Sequence, residues 1–263
     1  MTSPSSPETS PTATALAPVS RNGRALRAAG PSHASLIMLS DPRSPAAEAY
    51  RSLAANLQFA IDGAVAGGNV ALLGRTSGEG RAARTIGVTS AAPGEGKSTT
   101  LANLAIALAE AGRRVIVIDA DLRRPGLHSL FGLDQHDGLS TLLQGEPAQL
   151  PLQDTQAAGV RVLTSGPLPT NPLEVLASRR LDHVLALAQA QADVVLVDTA
   201  PAAALADAAV LAPRLGGMLL VVSAGRTKRD LARRAREQLE RSGASLLGVV
   251  LCDVRGDDKL YTY

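Results

Sequence analysis

A chain of 263 residues with 45% hydrophobic content is long enough for one large α/β domain or two small ones, and a net charge of +2 falls short of the clustered excess of a dedicated nucleic-acid binder. Aromatic residues make up 2% of it, so the core is expected to be built from Ala, Leu and Val, and a single cysteine excludes both an internal disulfide and a cysteine-ligated cluster. No run reaches the roughly 18 apolar residues of a membrane span, and the first residues lack a signal peptide's basic start and apolar core, so the expected location is the cytoplasm.

Residues 1–34 are rich in Ser, Thr, Pro and Ala, with too little bulky apolar surface to offset the entropy of ordering them, and read as a disordered tail. Segment 35–83 contains a helix signal: in "SPAAEAYRSLAANLQFAI" a Ser-Pro start at Ser44 precedes Glu48 in the first turn, with Leu53, Leu57 and Ile61 spaced four apart. The glycine-rich stretch after it reads as a flexible insertion. Its "GRTSGEGRAAR" imitates a phosphate loop but has Arg81 in the lysine position and no hydroxyl next to it, which marks a decoy.

From 84 to 254, short β-branched runs alternate with helical patterns: "TIGVTS", "STTLANLAIALAEAG", "RRVIVIDAD", "VRVLTSG", "DVVLVDTAP", "GGMLLVVSAG" and "LLGVVLCDV". Continuous apolar strands separated by helices predict a doubly wound α/β domain, a mostly parallel sheet covered by helices on both faces. Cys252, in the last run, is expected as a buried strand residue. The basic helix "TKRDLARRAREQLERSG" reads as a solvated surface helix with Leu231 and Leu239 inward and Glu237 and Glu240 offsetting its charge, in preference to a contact for anionic lipid or nucleic acid. The four histidines show no ligand spacing, so no zinc site is expected. Residues 255–263 form a polar tail that places two of the three tyrosines, Tyr261 and Tyr263, where no core can use them.

In a doubly wound sheet, ligands sit at the carboxyl ends of the strands, where the strand order switches. Three strand ends carry chemistry suited to a nucleotide. In "VTSAAPGEGKSTT" a strand runs through a Gly/Pro turn into a helix, the setting of a phosphate loop, although Ala91 stands where the first glycine belongs. Gly94 and Gly96 let the loop from Pro93 to Thr99 bring its backbone N–H groups, those from Gly94 onward, close to phosphate oxygens, Lys97 reaches the terminal phosphates and Ser98 can ligate Mg²⁺. In "VIVIDADLRRPGLHSLFGL", Asp119 and Asp121 lie two apart with Arg123 and Arg124 behind them. Carboxylates there can hold Mg²⁺ or take a proton from an attacking hydroxyl. In "DVVLVDTAP", Asp198 ends an apolar run in the manner of a Walker-B strand and would complete the Mg²⁺ shell.

From Ser44 to the C-terminus the chain resembles the bacterial tyrosine kinases of polysaccharide synthesis, the CpsD/CapB type. The family's "TSxxPGEGKST" is matched by Thr89, Ser90, Pro93, Gly94, Glu95, Gly96, Lys97, Ser98 and Thr99, and its "hhhDxDxR" by Asp119, Asp121 and Arg123. The resemblance implies a P-loop NTPase fold, ATP and Mg²⁺ as cofactors, and autophosphorylation of C-terminal tyrosines presented in trans, here Tyr261 and Tyr263 behind Asp257 and Asp258. It also implies a homo-oligomeric ring, a separate membrane-bound co-polymerase that activates the kinase and holds it at the inner face of the membrane, and a phosphatase that resets the tail. No nucleic acid is expected. The family's ring motif "ExxRxxR" keeps Glu48 and Arg51 but has Ala54 at the third position. Among residues implied to act, Lys97, Asp119 and Asp121 are catalytic, with Asp119 the candidate to orient or deprotonate the incoming tyrosine hydroxyl; the loop residues with Arg123 bind nucleotide; Ser98, Asp119 and Asp198 hold the metal. Two other readings stay open. A ParA/MinD-type switch ATPase would share the fold, but Ala92 occupies the position of its signature lysine. A nucleotide-gated regulator without turnover would fill the same site.

Overall fold

A computed structural model describes residues 35–65, 84–145 and 149–254, with side chains to Ile61 in the first stretch. The predicted N-terminal tail, the glycine-rich insertion with its decoy loop, and the C-terminal segment with Asp257, Asp258, Tyr261 and Tyr263 lie outside the described residues.

Helices α1 (Ile37–Ser40) and α2 (Pro45–Val65) come first. The predicted helix start is a real cap: Ser44 Oγ accepts the Ala47 amide at 3.2 Å, and Pro45, which has no amide to satisfy, takes the first helical position. Strands and helices then alternate as β1 (Thr85–Ser90), α3 (Lys97–Glu110), β2 (Val115–Asp119), α4 (Leu127–Phe131), α5 (Leu139–Gln144), β3 (Gln153–Asp154), β4 (Val160–Leu163), α6 (Pro172–Ala177), α7 (Arg180–Gln191), β5 (Val194–Asp198), α8 (Asp207–Leu211), β6 (Gly217–Ser223), α9 (Arg229–Arg241) and β7 (Leu246–Cys252).

These strands form one sheet in the order β3-β4-β2-β5-β1-β6-β7, every pair parallel except β3 with β4. Alternate residues of a strand face opposite sides, and both sides are buried. Val115 and Val117 of β2 join the core under α2 and α3, while Ile116 and Ile118 join the core under α7 and α9. The doubly wound fold is thus as predicted. Strand β3 was not expected, because two residues are too short to register as a periodic run.

The predicted interior character of β7 is corrected. It is an edge strand, with Val249 57% and Leu251 56% exposed, and Cys252 is half-buried, its Sγ 3.2 Å from Thr100 Oγ1. An apolar run looks the same at the centre of a sheet and at its rim.

One buried amide fixes the α1 segment to the helix behind the phosphate loop. Asn103, on α3, donates to the carbonyls of Ser35 and Thr99, each at 2.9 Å, and accepts from the Met38 amide at 3.1 Å. Replacing it by Ala leaves a buried N–H without its acceptor. Asn103→Ala is expected to lower stability by about 2 kcal/mol, read as a lower urea midpoint at unchanged slope.

Candidate active site

The strand order explains why residues far apart in sequence meet. β5 lies between β1 and β2, and Asp119 pairs in register with Asp198, so two acidic strand ends stand side by side next to the end of β1. Backbone bonds stitch the ends together: Ala120 N donates to Asp198 O at 2.9 Å, Thr199 N to Val88 O at 3.0 Å and Ala202 N to Ser90 O at 2.8 Å.

The loop from β1 turns into α3 through Gly94 and Gly96, with φ of 77° and 85°, a left-handed conformation that L side chains rarely adopt. It leaves the first amides of a 14-residue helix facing a cleft of about 630 Å³. The loop and helix start, from Pro93 to Thr99 apart from Glu95, line it together with Asp121, Arg123 and Arg124 from the turn after β2, and Pro201, Ala204 and Leu205 from the turn after β5. Of the predicted nucleotide-binding residues, only Glu95 turns away. Its buried carboxylate accepts the Ala92 amide at 2.9 Å and the Thr227 hydroxyl at 2.5 Å, so it shapes the loop from inside.

Three buried carboxylates surround one ammonium. Lys97 Nζ lies 2.9 Å from Asp121 Oδ2 and 3.4 Å from both oxygens of Asp198, and Ser98 Oγ donates to Asp198 Oδ2 at 2.5 Å. Asp121 Oδ1 accepts the amides of Arg123 and Arg124 at 3.3 and 3.0 Å. Asp119, fully buried, accepts the amides of Gly126 and Leu127 on Oδ2, each at 3.1 Å. Burial disfavours charge on Lys97 and is the largest influence on it, yet Asp198 and Asp121 outweigh it and raise the Lys97 pKa. For Asp119, burial first and the Asp198 charge second push the carboxyl up to about 8, against the opposing pull of the Leu127 amide and Lys97. Burial also raises Asp198, opposed by Lys97 and Ser98.

Two carboxylate oxygens in this cluster, Asp119 Oδ1 and Asp198 Oδ1, are buried and accept no hydrogen bond among the described residues. Carboxylate oxygens without a hydrogen-bond donor, beside the Ser98 hydroxyl, fit a hard divalent cation that would displace the Asp119 proton. No group of three or more His, Cys, Asp or Glu forms a complete cage among the described residues, so phosphate oxygens would have to supply much of the shell.

Sequence reasoning did not find Asp207. Fully buried at the start of α8, it grips Arg123 through both oxygens, Nε to Oδ2 at 2.6 Å and Nη2 to Oδ1 at 3.0 Å. Such a fork fixes the guanidinium plane at the cleft wall. His128, beyond the turn after β2, has Nδ1 buried without a hydrogen-bond partner among the described residues, and burial lowers its pKa.

The raised Asp119 pKa has a sign that can be checked. The folded chain holds a proton that the unfolded chain, with the ordinary carboxyl value of 3.8, has released, so without nucleotide or metal, stability should fall as pH rises from about 4 towards about 8. Asp119→Asn, which keeps an acceptor for the two amides, is expected to flatten that slope in urea titrations at a series of pH values. An unchanged slope would contradict the assignment.

The chain as a whole is similar to proteins of known family. The ParA family model, described as NUBPL iron-transfer P-loop NTPase, matches residues 81–252. The tyrosine-protein kinase YwqD of Bacillus subtilis (strain 168) is 38% identical over 218 residues, covering 82% of this chain and 84% of that protein. A protein of Ralstonia solanacearum named "Putative tyrosine-protein kinase EpsB" is 37% identical over 210 residues; the match covers 80% of this chain and 26% of that longer protein. Among solved structures, the kinase domain of Escherichia coli tyrosine kinase ETK superimposes with a TM-score of 0.71 at 30% identity, over 87% of this chain and 84% of that one.

Proposed function

Because the chain belongs to the bacterial tyrosine-protein kinases built on the ParA-like P-loop NTPase fold, we propose that it is an ATP:protein-tyrosine phosphotransferase of capsular or exopolysaccharide synthesis that phosphorylates its own Tyr261 and Tyr263. The observation that carries this reading is the juxtaposition, across one cleft, of an amide-lined phosphate loop with Lys97 and the acidic strand ends.

Backbone N–H groups from Gly94 to Thr99, at the N-terminus of α3, receive the phosphates of ATP, and the Lys97 ammonium, paired with Asp121 in the free chain, turns to the phosphoryl group in flight. Ser98, Asp198 and Asp119 are the groups suited to hold Mg²⁺, which when bound neutralises charge on the terminal phosphates. The sequence favoured Asp119 as the group that orients or deprotonates the tyrosine hydroxyl. Asp121 forms part of the cleft wall, whereas Asp119 is fully buried behind it, so we assign the acceptor hydroxyl to Asp121. The tyrosine oxygen then bonds to the terminal phosphorus as the bridging oxygen leaves with ADP, and the hydroxyl proton passes to the carboxylate. Arg123, held by Asp207, faces the same phosphates.

The tail of one copy would enter the cleft of another, which makes a homo-oligomer part of the proposal. The ring helix is already engaged within the chain: Arg51 donates from Nε to Glu110 at 3.0 Å and from Nη1 to the Pro42 carbonyl at 2.9 Å, and Ala54 is buried in the core. Assembly would therefore need contacts beyond the remaining Glu48 and Arg51. No helix among the described residues is long and apolar enough to cross a membrane. A separate membrane co-polymerase and a tyrosine phosphatase complete the scheme. The ParA-type match keeps a switch ATPase as the second reading, against which stands Ala92 at the signature-lysine position.

Tandem mass spectrometry after incubation with Mg-ATP is expected to find phosphate on Tyr261 and Tyr263, and none above background in Lys97→Met, whose rate should fall by about three orders of magnitude. Hydrolysis without tyrosine phosphate, with the co-polymerase present, would favour the switch. Asp207→Ala frees the Arg123 guanidinium and should lower kcat/KM about tenfold to a hundredfold with a fold intact by circular dichroism.

A further inference from the structure

One long edge of the sheet has no partner strand among the described residues. Among the described residues β7 pairs only with β6, and its seven residues carry no charge, the feature that commonly blunts an exposed edge. Past a bulge near its start, the register sets Val249 beside Leu220 and Leu251 beside Val222. Residues paired in a parallel ladder share a face, so Val249 and Leu251 lie on the side where α9 packs through Ala235 and Leu239. That helix leaves them uncovered: Val249, Leu251 and the following Val254 are 57%, 56% and 58% exposed.

Beside this aliphatic strip stands a cationic helix. From Arg226 to Arg241 the chain has seven Lys or Arg against three Asp or Glu, an excess of four positive charges in a chain whose total is +2. All seven basic side chains are exposed. Arg233 and Arg236 are drawn to Asp230 and Glu240 at 3.5 and 3.0 Å, but Arg229, Arg234 and Arg241 make no ion pair among the described residues. Lys228 and Arg229 also sit at the N-terminus of α9, where the helix dipole disfavours cations, so folding does not account for their position.

We propose that α9 together with the exposed edge of β7 is a docking surface for an anionic lipid bilayer. Aliphatic side chains flanked by arginines are the pattern that enters the interface between headgroups and acyl chains. A second copy of the same face would bring two positive surfaces together, and nucleic acid gains nothing from exposed valine and leucine. The surface adjoins the nucleotide cleft, since Thr227, just before α9, donates to Glu95 of the phosphate loop. This goes beyond the kinase reading and does not depend on it, because membrane attachment there was assigned to a separate partner.

The test is co-sedimentation of the full chain with vesicles of phosphatidylcholine alone or mixed with phosphatidylglycerol, across a salt series. Binding is expected only to the mixed vesicles and should weaken with salt. Arg229→Glu with Arg234→Glu should reduce partitioning by about tenfold or more. The Arg229→Lys/Arg234→Lys pair should retain binding, since the attraction is to charge rather than to a guanidinium fork, and Val249→Ser with Leu251→Ser should weaken it several-fold. Matching thermal melts show that each variant folds. Absence of binding to mixed vesicles, or equal binding by the charge-reversed variant, overturns the proposal. So does a dimer by light scattering that Val249→Ser/Leu251→Ser dissolves, which assigns the face to a second copy. Arginine-dependent binding to duplex DNA without vesicle binding assigns it to nucleic acid.

Discussion

Three carboxylates and one ammonium, nearly all out of contact with water, are the constraint around which this chain is organised. Burying so much like charge is costly unless each oxygen is paired or the charge is reduced by a proton or cation. The fold meets part of that cost with geometry. Backbone amides from the turn after β2 serve Asp119 and Asp121, the Ser98 hydroxyl serves Asp198, and Lys97 spans two of the three acids. What is left unmet, one oxygen each on Asp119 and Asp198, is where a nucleotide-bound cation would find its ligands.

The architecture outside the cluster serves to hold these strand ends together. Placing β5 between β1 and β2 sets the acids in register, and an Ala- and Leu-rich α3 packs closely behind them. The layer of α1 and α2 is fastened to the back of α3 at two points, by Asn103 at the middle of that helix and by Arg51 on Glu110, its last residue. Ala54 fits this arrangement: a small residue packs on α3 where the related ring motif would project a cation.

Much of this was legible in the sequence because its signals are local. The phosphate loop, the two acidic strand ends and the cap at Ser44 each lie within a dozen neighbouring residues, and pattern and turn chemistry are enough to read them. The rest depends on pairing at a distance. Asp207 grips Arg123 from 84 residues away and Glu95 reaches Thr227 across 132, and nothing in the neighbourhood of either residue announces a partner. Asn103 reads as an ordinary polar residue in an apolar helix until the α1 segment is laid against it. The edge position of β7 was hidden for another reason, since composition reports that a strand is apolar and says nothing about how many neighbours it has.

The Glu95 carboxylate carries a thermodynamic consequence. A glycine-rich loop left to itself would samples many conformations and would have to surrender that freedom each time a nucleotide arrived. Here a buried acid ties the loop to its own backbone at Ala92 and to Thr227, so the ordering is complete when the chain folds. Affinity for phosphate is thereby gained through preorganisation, and the conformational entropy is surrendered once per folding event instead of once per turnover.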